Sequence, residues 1–347
     1  MRCRTFLFLS LSLAASSLSA QQWHVFDRGA AFATFVTQTG PKNPQNRFFS
    51  TNWLSGGAER GYGDFSVTFR GRVSLEPLTV PAEGSPQLLQ YVSAQSGGPL
   101  LDHMRAHDLI EEAAVQVGWK ALRLYVAPIG EPPLGATPYA QRESALDFAE
   151  APFSYDVAES FHVGTRLVVA GITTTPVDVE AGVFHNSVST GRHATIEDGS
   201  IDSWSARVTF RPAPHWSIDA SHGSLGDAKQ KVTSGSLSYE SPHVVTSAIF
   251  TRREPLTAYG LEVVLRGGRN AFMARAESTD RPAGAVYLEA RRATNLTLGD
   301  VVDVYRRGRL RTGLGVNIDY QTSTGELKAR YGHKPQSVFT FVRVRCD

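Results

Sequence analysis

An alternation of apolar and polar residues with a period of two recurs along the second half of the chain. In residues 203–210, Trp204, Ala206, Val208 and Phe210 share one face, while serine, arginine and threonine side chains share the other. Residues 215–220 and 313–320 repeat this division, with Gly, Asn or Asp on the second face. A β-strand has this period because its successive side chains point to opposite faces. The pattern therefore predicts strands that have one apolar face and one face in contact with water.

The N-terminal residues have the pattern of an export signal. A basic start (residues 1–4) precedes a short apolar stretch (residues 5–13), and small residues follow up to Ala20. The apolar stretch is well short of the roughly 20 residues that a membrane-spanning helix needs. We therefore predict a signal peptide over residues 1–20, cleaved after Ala20, and an exported mature chain of residues 21–347.

Strands that follow one another at short spacing, separated by Gly, Pro and Asn, favour an all-β fold. Counting every alternating segment predicts roughly 16 strands, within a range of about 14 to 18. A soluble β-sandwich also alternates, but so many strands in one run of hairpins would form a very wide sheet unless it closed. We therefore predict a single antiparallel transmembrane β-barrel in the outer membrane of a Gram-negative-type bacterium, with the lipid bilayer as its partner.

Two long segments interrupt the alternation and are rich in Pro, Gly and polar residues. They cover residues 76–108 and 128–158, and they flank a strand pair in residues 109–127 that is expected to turn near Gly118. Long loops in such barrels lie on the outer side or fold into the lumen, and they often carry function. We predict that both segments are loops.

Composition excludes several classes of function. The formal net charge is +2, with 20% charged residues, so no strong field for nucleic acid is expected. Cys346 is the single cysteine after the predicted signal, so no intramolecular disulfide can form. No phosphate-binding loop or dinucleotide fingerprint follows a strand, and no cofactor is predicted.

The parity of the alternation assigns a set of charged side chains to the polar, lumen-facing side of the barrel. The candidates are Arg70, Arg207, Asp219, Glu262, Arg275, Glu289, Arg291 and Asp319. Both signs of charge are present. Such residues could set the selectivity of an open pore, or they could pair with one another across a plugged lumen.

Four residues around the two long segments are candidate metal ligands at a rim or in a loop. They are His103, His107, Asp108 and His162. Histidine is the commonest ligand of late transition metals, and a spacing of four would place His103 and His107 on one helix face. The alternative is that these are ordinary polar loop residues near the start of a strand, and metal binding stays undetermined.

A hydrolase would need a nucleophile with a base within hydrogen-bond reach. Two Ser and His pairs are close in sequence, Ser160 with His162 and Ser221 with His222, but neither lies in a Gly-x-Ser-x-Gly elbow. We therefore expect that the chain is not an enzyme.

Several short motifs resemble a family of exported bacterial β-barrel-like proteins of porin-like type. They are FFSTNW (48–53), SLEPLTVP (74–81), HDL (107–109), GEPPLG (130–135) and DSWS (202–205). The resemblance covers most of the mature chain and implies a barrel fold and an exported location, but no activity.

Taken together, these features favour a porin-like passive conduit for small polar solutes or ions. The alternative is a non-conducting binding or structural barrel whose long loops hold a ligand, a metal or a partner. No single face stands out as a subunit interface, so the oligomeric state is left open.

Overall fold

The computed structural model describes most of the chain after residue 21. The described residues are 22–39, 45–81, 84–93, 101–104, 107–159, 163–187, 196–197, 199–281, 291–324, 328, 332 and 334–347. The predicted export signal, residues 1–20, lies outside them. No helix among the described residues is long and apolar enough to cross a membrane.

Strands dominate the described residues, with two short helices. In chain order the elements are β1 (His24–Thr39), β2 (Gln45–Tyr62), β3 (Phe65–Val73), α1 (Glu76–Thr79), β4 (Ser85–Ser93), β5 (Leu101–Met104), β6 (Ile110–Trp119), β7 (Leu122–Gly130), α2 (Tyr155–Ala158), β8 (Gly164–Thr173), β9 (Val177–Asn186), β10 (Ser203–Phe210), β11 (Trp216–Leu225), β12 (Gln230–Glu240), β13 (Val244–Arg253), β14 (Leu256–Gly267), β15 (Asn270–Arg281), β16 (Arg291–Arg307), β17 (Leu310–Ser323) and β18 (Gln336–Cys346).

Sixteen of these strands close into one antiparallel barrel. Each barrel strand pairs with its neighbours in chain order, except that β3 pairs directly with β6. The first and last strands close the ring, from the pair of Gly29 with Cys346 to the pair of Thr39 with Gln336. The prediction of a single antiparallel barrel of roughly 16 strands is therefore confirmed.

The alternation sorts side chains between the two surfaces of the barrel wall as expected. In β10, Trp204 and Val208 lie on the outer surface, 46% and 44% exposed, while Ser203, Ser205 and Thr209 are buried on the inner side. An apolar outer surface suits lipid, and a polar inner surface suits a lumen. The barrel thus has the two surfaces that the sequence predicts.

The two ends of the barrel differ in the length of their connections. One end, the turn end, carries both termini of the barrel and seven connections of two to five residues, such as those at Gly63, Gly268 and Gly308. These glycines have positive φ, which the tight turns require. The opposite end, the loop end, carries the long connections, a division that is typical of outer-membrane barrels.

The structure differs from the sequence predictions at three connections. The segment 76–108 is not a plain loop, because it contains α1 and a separate two-stranded sheet of β4 and β5. The second long loop begins at residue 131 rather than 128, because β7 continues to Gly130, and it ends at residue 163. The turn expected near Gly118 lies two residues later, where Lys120 takes a positive φ, and Gly118 stays in β6 facing Ser66 Oγ.

The lumen as candidate functional site

The connection between β7 and β8 is called here the lumen loop, and its described residues, 131–159 and 163, fold into the barrel. Its backbone finds partners on the barrel wall: Ser221 Oγ accepts from Gly135 N at 2.8 Å, and Thr51 Oγ1 donates to Ala149 O at 3.1 Å. The Glu277 carboxylate accepts from the backbone N of Phe153 at 2.8 Å. Buried backbone groups need such partners. The lumen loop is therefore held as part of the folded interior.

Ion pairs near the turn end anchor the tip of the lumen loop. The buried Asp147 carboxylate contacts Arg343, Arg345 (Nη1 to Oδ1, 2.8 Å) and Arg266 (Nη2 to Oδ2, 3.4 Å). Burial alone would raise the pKa of Asp147, but the three arginines outweigh it and lower the pKa below its usual value. Glu143, four residues earlier, also pairs with Arg266 at 3.2 Å.

A second set of ion pairs holds the middle of the lumen loop against β14 and β15. Arg142 binds Glu262 through two bonds, Nε to Oε2 at 2.8 Å and Nη2 to Oε1 at 2.9 Å, and it also pairs with Glu159 at 2.9 Å. Arg275 Nε lies 3.0 Å from the same Glu262, and its guanidinium stacks 4.0 Å from the ring centroid of Phe148. Such bidentate contacts between arginine and carboxylate fix the relative orientation of the two side chains as well as pairing their charges.

A cavity of about 320 Å³ remains on the opposite side of the lumen, against β3 and β6–β11. Its wall carries four arginines and five carboxylates. These side chains are Arg70, Arg123, Arg207, Arg211, Glu112, Glu131, Asp178, Glu180 and Asp219. The cavity is therefore polar and of mixed charge.

The charges of the cavity wall are mostly paired between neighbouring strands. Glu180 on β9 receives Arg123 from one side at 3.2 Å and Arg207 from the other at 2.9 Å. Arg70 Nε lies 3.1 Å from Glu112. Asp219 differs, because its partners among the described residues are hydroxyl groups, the shortest being Thr209 Oγ1 at 2.5 Å.

An apolar layer lies nearer the loop end than the cavity does. Leu134 of the lumen loop is buried there with Leu167, Phe184, Leu225 and Val232 of the barrel wall. These wall residues lie at the loop-end portions of β8, β9, β11 and β12. The layer narrows the lumen on that side of the cavity.

The lumen-facing candidates fall into two groups. Arg70, Arg207 and Asp219 line the cavity. Glu262, Arg275 and Asp319 are buried beneath the lumen loop instead. Arg291 lies in β16, and Glu289 lies outside the described residues. Parity thus predicts which side of the wall a residue faces, but not whether that part of the lumen is filled.

The histidine candidates do not come together as the spacing suggests. His103 lies in β5, so His103 and His107 do not share a helix face. His107 and Asp108 precede β6 and are both buried, and His162 lies outside the described residues. Within the described part of the chain, no three His, Cys, Asp or Glu side chains are grouped to hold a metal ion.

His107 forms a buried contact between α1, the barrel wall and the lumen loop. Its Nδ1 lies 3.0 Å from Glu76 Oε2, its Nε2 lies 3.7 Å from Glu111 Oε1, and its ring stacks on Tyr139 at 5.8 Å. Burial would lower the pKa of His107, but the carboxylates of Glu111 and Glu76 outweigh it and raise the pKa to about 9. His107 is therefore a buried imidazolium at neutral pH, not a solvated loop residue.

The two Ser and His pairs do not form a nucleophile and base among the described residues. Ser221 faces the lumen and accepts a hydrogen bond from Gly135 N. The next residue, His222, is exposed on the other face of β11 and contacts Thr233 Oγ1 at 2.8 Å. Adjacent strand residues point apart, which separates this pair. Ser160 and His162 lie outside the described residues.

Sequence reasoning missed the residues that define the site on the lumen loop and on β7 and β9. Arg123 and Glu180 could have been found, because both sit on strands whose alternation assigns them to the lumen. Arg142 and Asp147 carried no signal, since their segment has no period and their partners lie far along the chain.

No family model and no curated protein sequence matches the chain. Solved structures match its fold. A variant of the porin of Rh. blastica has a TM-score of 0.53 at 8% identity, covering 93% of this chain and 100% of that chain. OmpT, an outer membrane protein of Vibrio cholerae, with one loop deleted, has a TM-score of 0.55 at 11% identity, covering 93% and 99%. An in-vitro folded trimer form of OmpT has a TM-score of 0.51 at 11% identity, with the same coverage of both chains. The chain therefore has a porin-like β-barrel fold.

Proposed function

We propose that this chain is an outer-membrane barrel that acts as a passive, porin-like conduit for small polar solutes or ions and performs no covalent chemistry. The observation that carries the proposal is the cavity of about 320 Å³ between the lumen loop and the wall of β3 and β6–β11. A barrel of this many strands is wide enough for an aqueous channel unless a loop or a plug fills it. The lumen loop narrows the passage, and the cavity is the path that it leaves.

The character of the cavity wall supports polar rather than apolar cargo. Charged rings and mixed charges set selectivity in pores, because a passing solute exchanges water for wall groups. The wall carries five carboxylates against four arginines, and Asp219 has hydroxyl groups rather than an arginine as its partners among the described residues. The wall is therefore suited to small hydrophilic solutes and ions, with a modest preference for cations.

The test is the single-channel conductance of the refolded mature protein in a planar bilayer. Gln116→Trp on β6 places a large side chain in the cavity and should lower conductance. Val117→Trp is the matched control, because Val117 is the next residue on the same strand and lies exposed on the outer surface. A folded wild-type protein that does not conduct, or equal conductance of the two variants and the wild type, would contradict the proposal.

The apolar layer around Leu134 favours a second candidate, a non-conducting barrel whose cavity binds a ligand from the turn end. In that case the wild-type protein is closed, and Leu134→Ser, which weakens the layer, opens it. Conductance that appears only in Leu134→Ser would therefore support the binding barrel over the conduit.

A further inference from the structure

Asp219, on β11, is a carboxylate of the cavity wall that hydroxyl groups surround. Thr209 Oγ1 donates to Asp219 Oδ1 at 2.5 Å, and Ser236 Oγ and Ser217 Oγ donate to Oδ2 at 3.2 and 3.4 Å. Strand register fixes this arrangement, since Asp219 lies directly opposite Thr209 on β10 and Ser236 on β12. Asp219 is half-buried, and it lines the cavity together with Thr209 and Ser217.

The directions of these hydrogen bonds leave acceptors rather than donors at this place. A hydroxyl group has a single O–H and two lone pairs, and an ionised carboxylate only accepts. Thr209, Ser217 and Ser236 each give their O–H to Asp219, so the lone pairs of their oxygens remain for another donor. We call Asp219, Thr209 and Ser217 the acceptor cup. It suits a primary ammonium group, which has three donors, no acceptor and a positive charge.

Arg123 and Arg207 give the wall beside the acceptor cup the opposite character. Both guanidinium groups contact the same carboxylate, Glu180. Arg207 directs Nε and Nη2 at one oxygen, Glu180 Oε2, at 3.2 and 2.9 Å. Two guanidinium groups hold more N–H donors than a single carboxylate can accept. This part of the wall therefore has a surplus of donors and of positive charge, which suits the carboxylate group of a solute.

Strand register places the two kinds of surface next to each other. Thr209 pairs with Asp219 across β10 and β11, and Arg207 lies two residues before Thr209 on the same face of β10. Arg207 and Asp219 are therefore diagonal neighbours, about 7–8 Å apart at the backbone. Each is held by its own partners, and both line the cavity of about 320 Å³. A volume of roughly 300 Å³ or more is typical of sites for small molecules.

We propose that the cavity binds small zwitterions of the free α-amino acid type, with the ammonium group in the acceptor cup and the carboxylate on Arg207. An uncharged molecule of the same size makes neither charged contact. A simple cation leaves the donors of Arg207 without a new partner, and a simple anion is repelled by Asp219. The preference for amino acids in passage rests on the proposed conduit function, whereas binding in the cavity does not.

The exposure of the two ends keeps the binding weak. The side chain of Arg207 is 20% exposed, and Asp219 is half-buried, so water screens both contacts. Weak binding agrees with a conduit, because a permeating solute must leave the site as well as enter it. The site therefore selects by a modest difference in affinity, not by retention.

The test compares four molecules with the same carbon skeleton: alanine, its uncharged isomer lactamide, the cation alaninamide and the anion lactate. Saturation-transfer NMR titrations of the refolded mature protein in detergent report binding. Liposome swelling reports the passage of alanine and lactamide, which carry no net charge. We expect alanine to bind about tenfold more tightly than lactamide, because hydrogen bonds to charged groups are the stronger ones, and to enter liposomes faster.

Variants assign the binding to the two ends of the site. Asp219→Asn and Arg207→Gln should each weaken alanine binding by about tenfold and leave lactamide binding unchanged. Thr209→Val keeps both charges and removes one hydroxyl of the acceptor cup, so alanine affinity must still fall if the charge variants fail to fold. Arg252→Gln is the matched control, because Arg252 is an exposed arginine that pairs with Glu254 and does not line the cavity. It should bind alanine as the wild type does.

The outcomes separate the site from the conduit. The site is overturned if alanine does not bind, if it binds no better than lactamide or alaninamide, or if Asp219→Asn and Arg207→Gln leave its affinity unchanged. None of these results contradicts a conduit that both solutes enter. Liposomes that neither alanine nor lactamide enters would contradict the conduit alone, since binding in detergent needs no passage.

Discussion

Asp147→Asn should release the lumen loop while leaving the barrel intact. The substitution keeps the shape of the side chain and removes the charge that Arg343, Arg345 and Arg266 share at the turn end. The barrel strands pair with one another through their own backbone ladders, which do not depend on this contact. The lost stability therefore belongs to loop docking, which is a local opening rather than global unfolding.

The size of the effect follows from the burial of the group. Removing one partner of a buried ion pair costs about 3–5 kcal/mol, because it leaves charge without compensation. Arg343 and Arg345 retain Asp303 and Asp347 as partners, so the lower end, about 3 kcal/mol, applies here. At about 1.4 kcal/mol for each tenfold change, the fraction of molecules with the loop released rises roughly 100-fold.

Two assays report this release. Single-channel recordings should show a larger or noisier conductance for Asp147→Asn than for the wild type. Trypsin should cleave the variant after Arg142, a site that is buried in the docked loop. Asp64→Asn is the control, because Asp64 forms an exposed pair with Lys120 at a turn and such pairs contribute about 1 kcal/mol or less. Equal cleavage and equal conductance of Asp147→Asn and the wild type would refute the reasoning.

Three further predictions concern pH, selectivity and the lipid-facing surface. The pKa of His107 is raised to about 9, so its contribution to the docking of α1, roughly 3 kcal/mol, is fully present below about pH 6.5 and is lost as the pH rises through about 9. Hydrogen exchange of residues 76–81 should therefore become faster over that pH range in the wild type. The variant His107→Gln should not show this pH dependence. Asp219→Asn should lower the ratio of cation to anion permeability, and Arg70→Gln should raise it. Each change should be a factor of about two to five, since a charge a few ångströms away in water is worth about 1 kcal/mol or less. Reversal potentials in a salt gradient measure this ratio, and two shifts of the same sign would contradict the prediction. Val316→Arg, in the middle of the outer surface of β17, should lower the free energy of unfolding of the barrel in lipid by about 2–4 kcal/mol. Tyr305→Arg, near the turn end, should lower it by about 1 kcal/mol or less. Denaturant unfolding in vesicles measures both values, and equal values would mean that the outer surface is not in lipid.

The barrel could be predicted from the sequence because strand parity is a local property. Trp204 and Val208 face outward and Ser205 faces inward because apolar and polar residues alternate there, and this alternation is visible within three residues of each position. The number of strands follows from the same alternation and from the turn residues between strands. For this reason the fold and the sidedness of the wall required no information about distant contacts.

The course of the lumen loop could not be predicted, because its conformation depends on pairs far apart in the sequence. Arg142 meets Glu262 from a position 120 residues away, and Asp147 meets Arg343 from 196 residues away. The loop has no hydrophobic period, and its composition indicated only that it is not a strand. The same limit explains why parity placed Asp319 on the inner side of the wall without showing that the loop covers it.

The distribution of charge on the inner wall explains which half of the lumen the loop fills. Along β7, β9 and β10 the wall is self-sufficient, because Glu180 is shared by Arg123 and Arg207 on the neighbouring strands. Along β14 and β15 the wall is less complete, because Glu262 uses Arg142 of the loop as well as Arg275 of the wall, and Glu277 accepts from backbone N–H groups of the loop. A polar loop gains most by docking where buried acceptors lack donors, and it gains little against a wall whose charges are already paired. The cavity is thus left on the side where the wall can face water unaided.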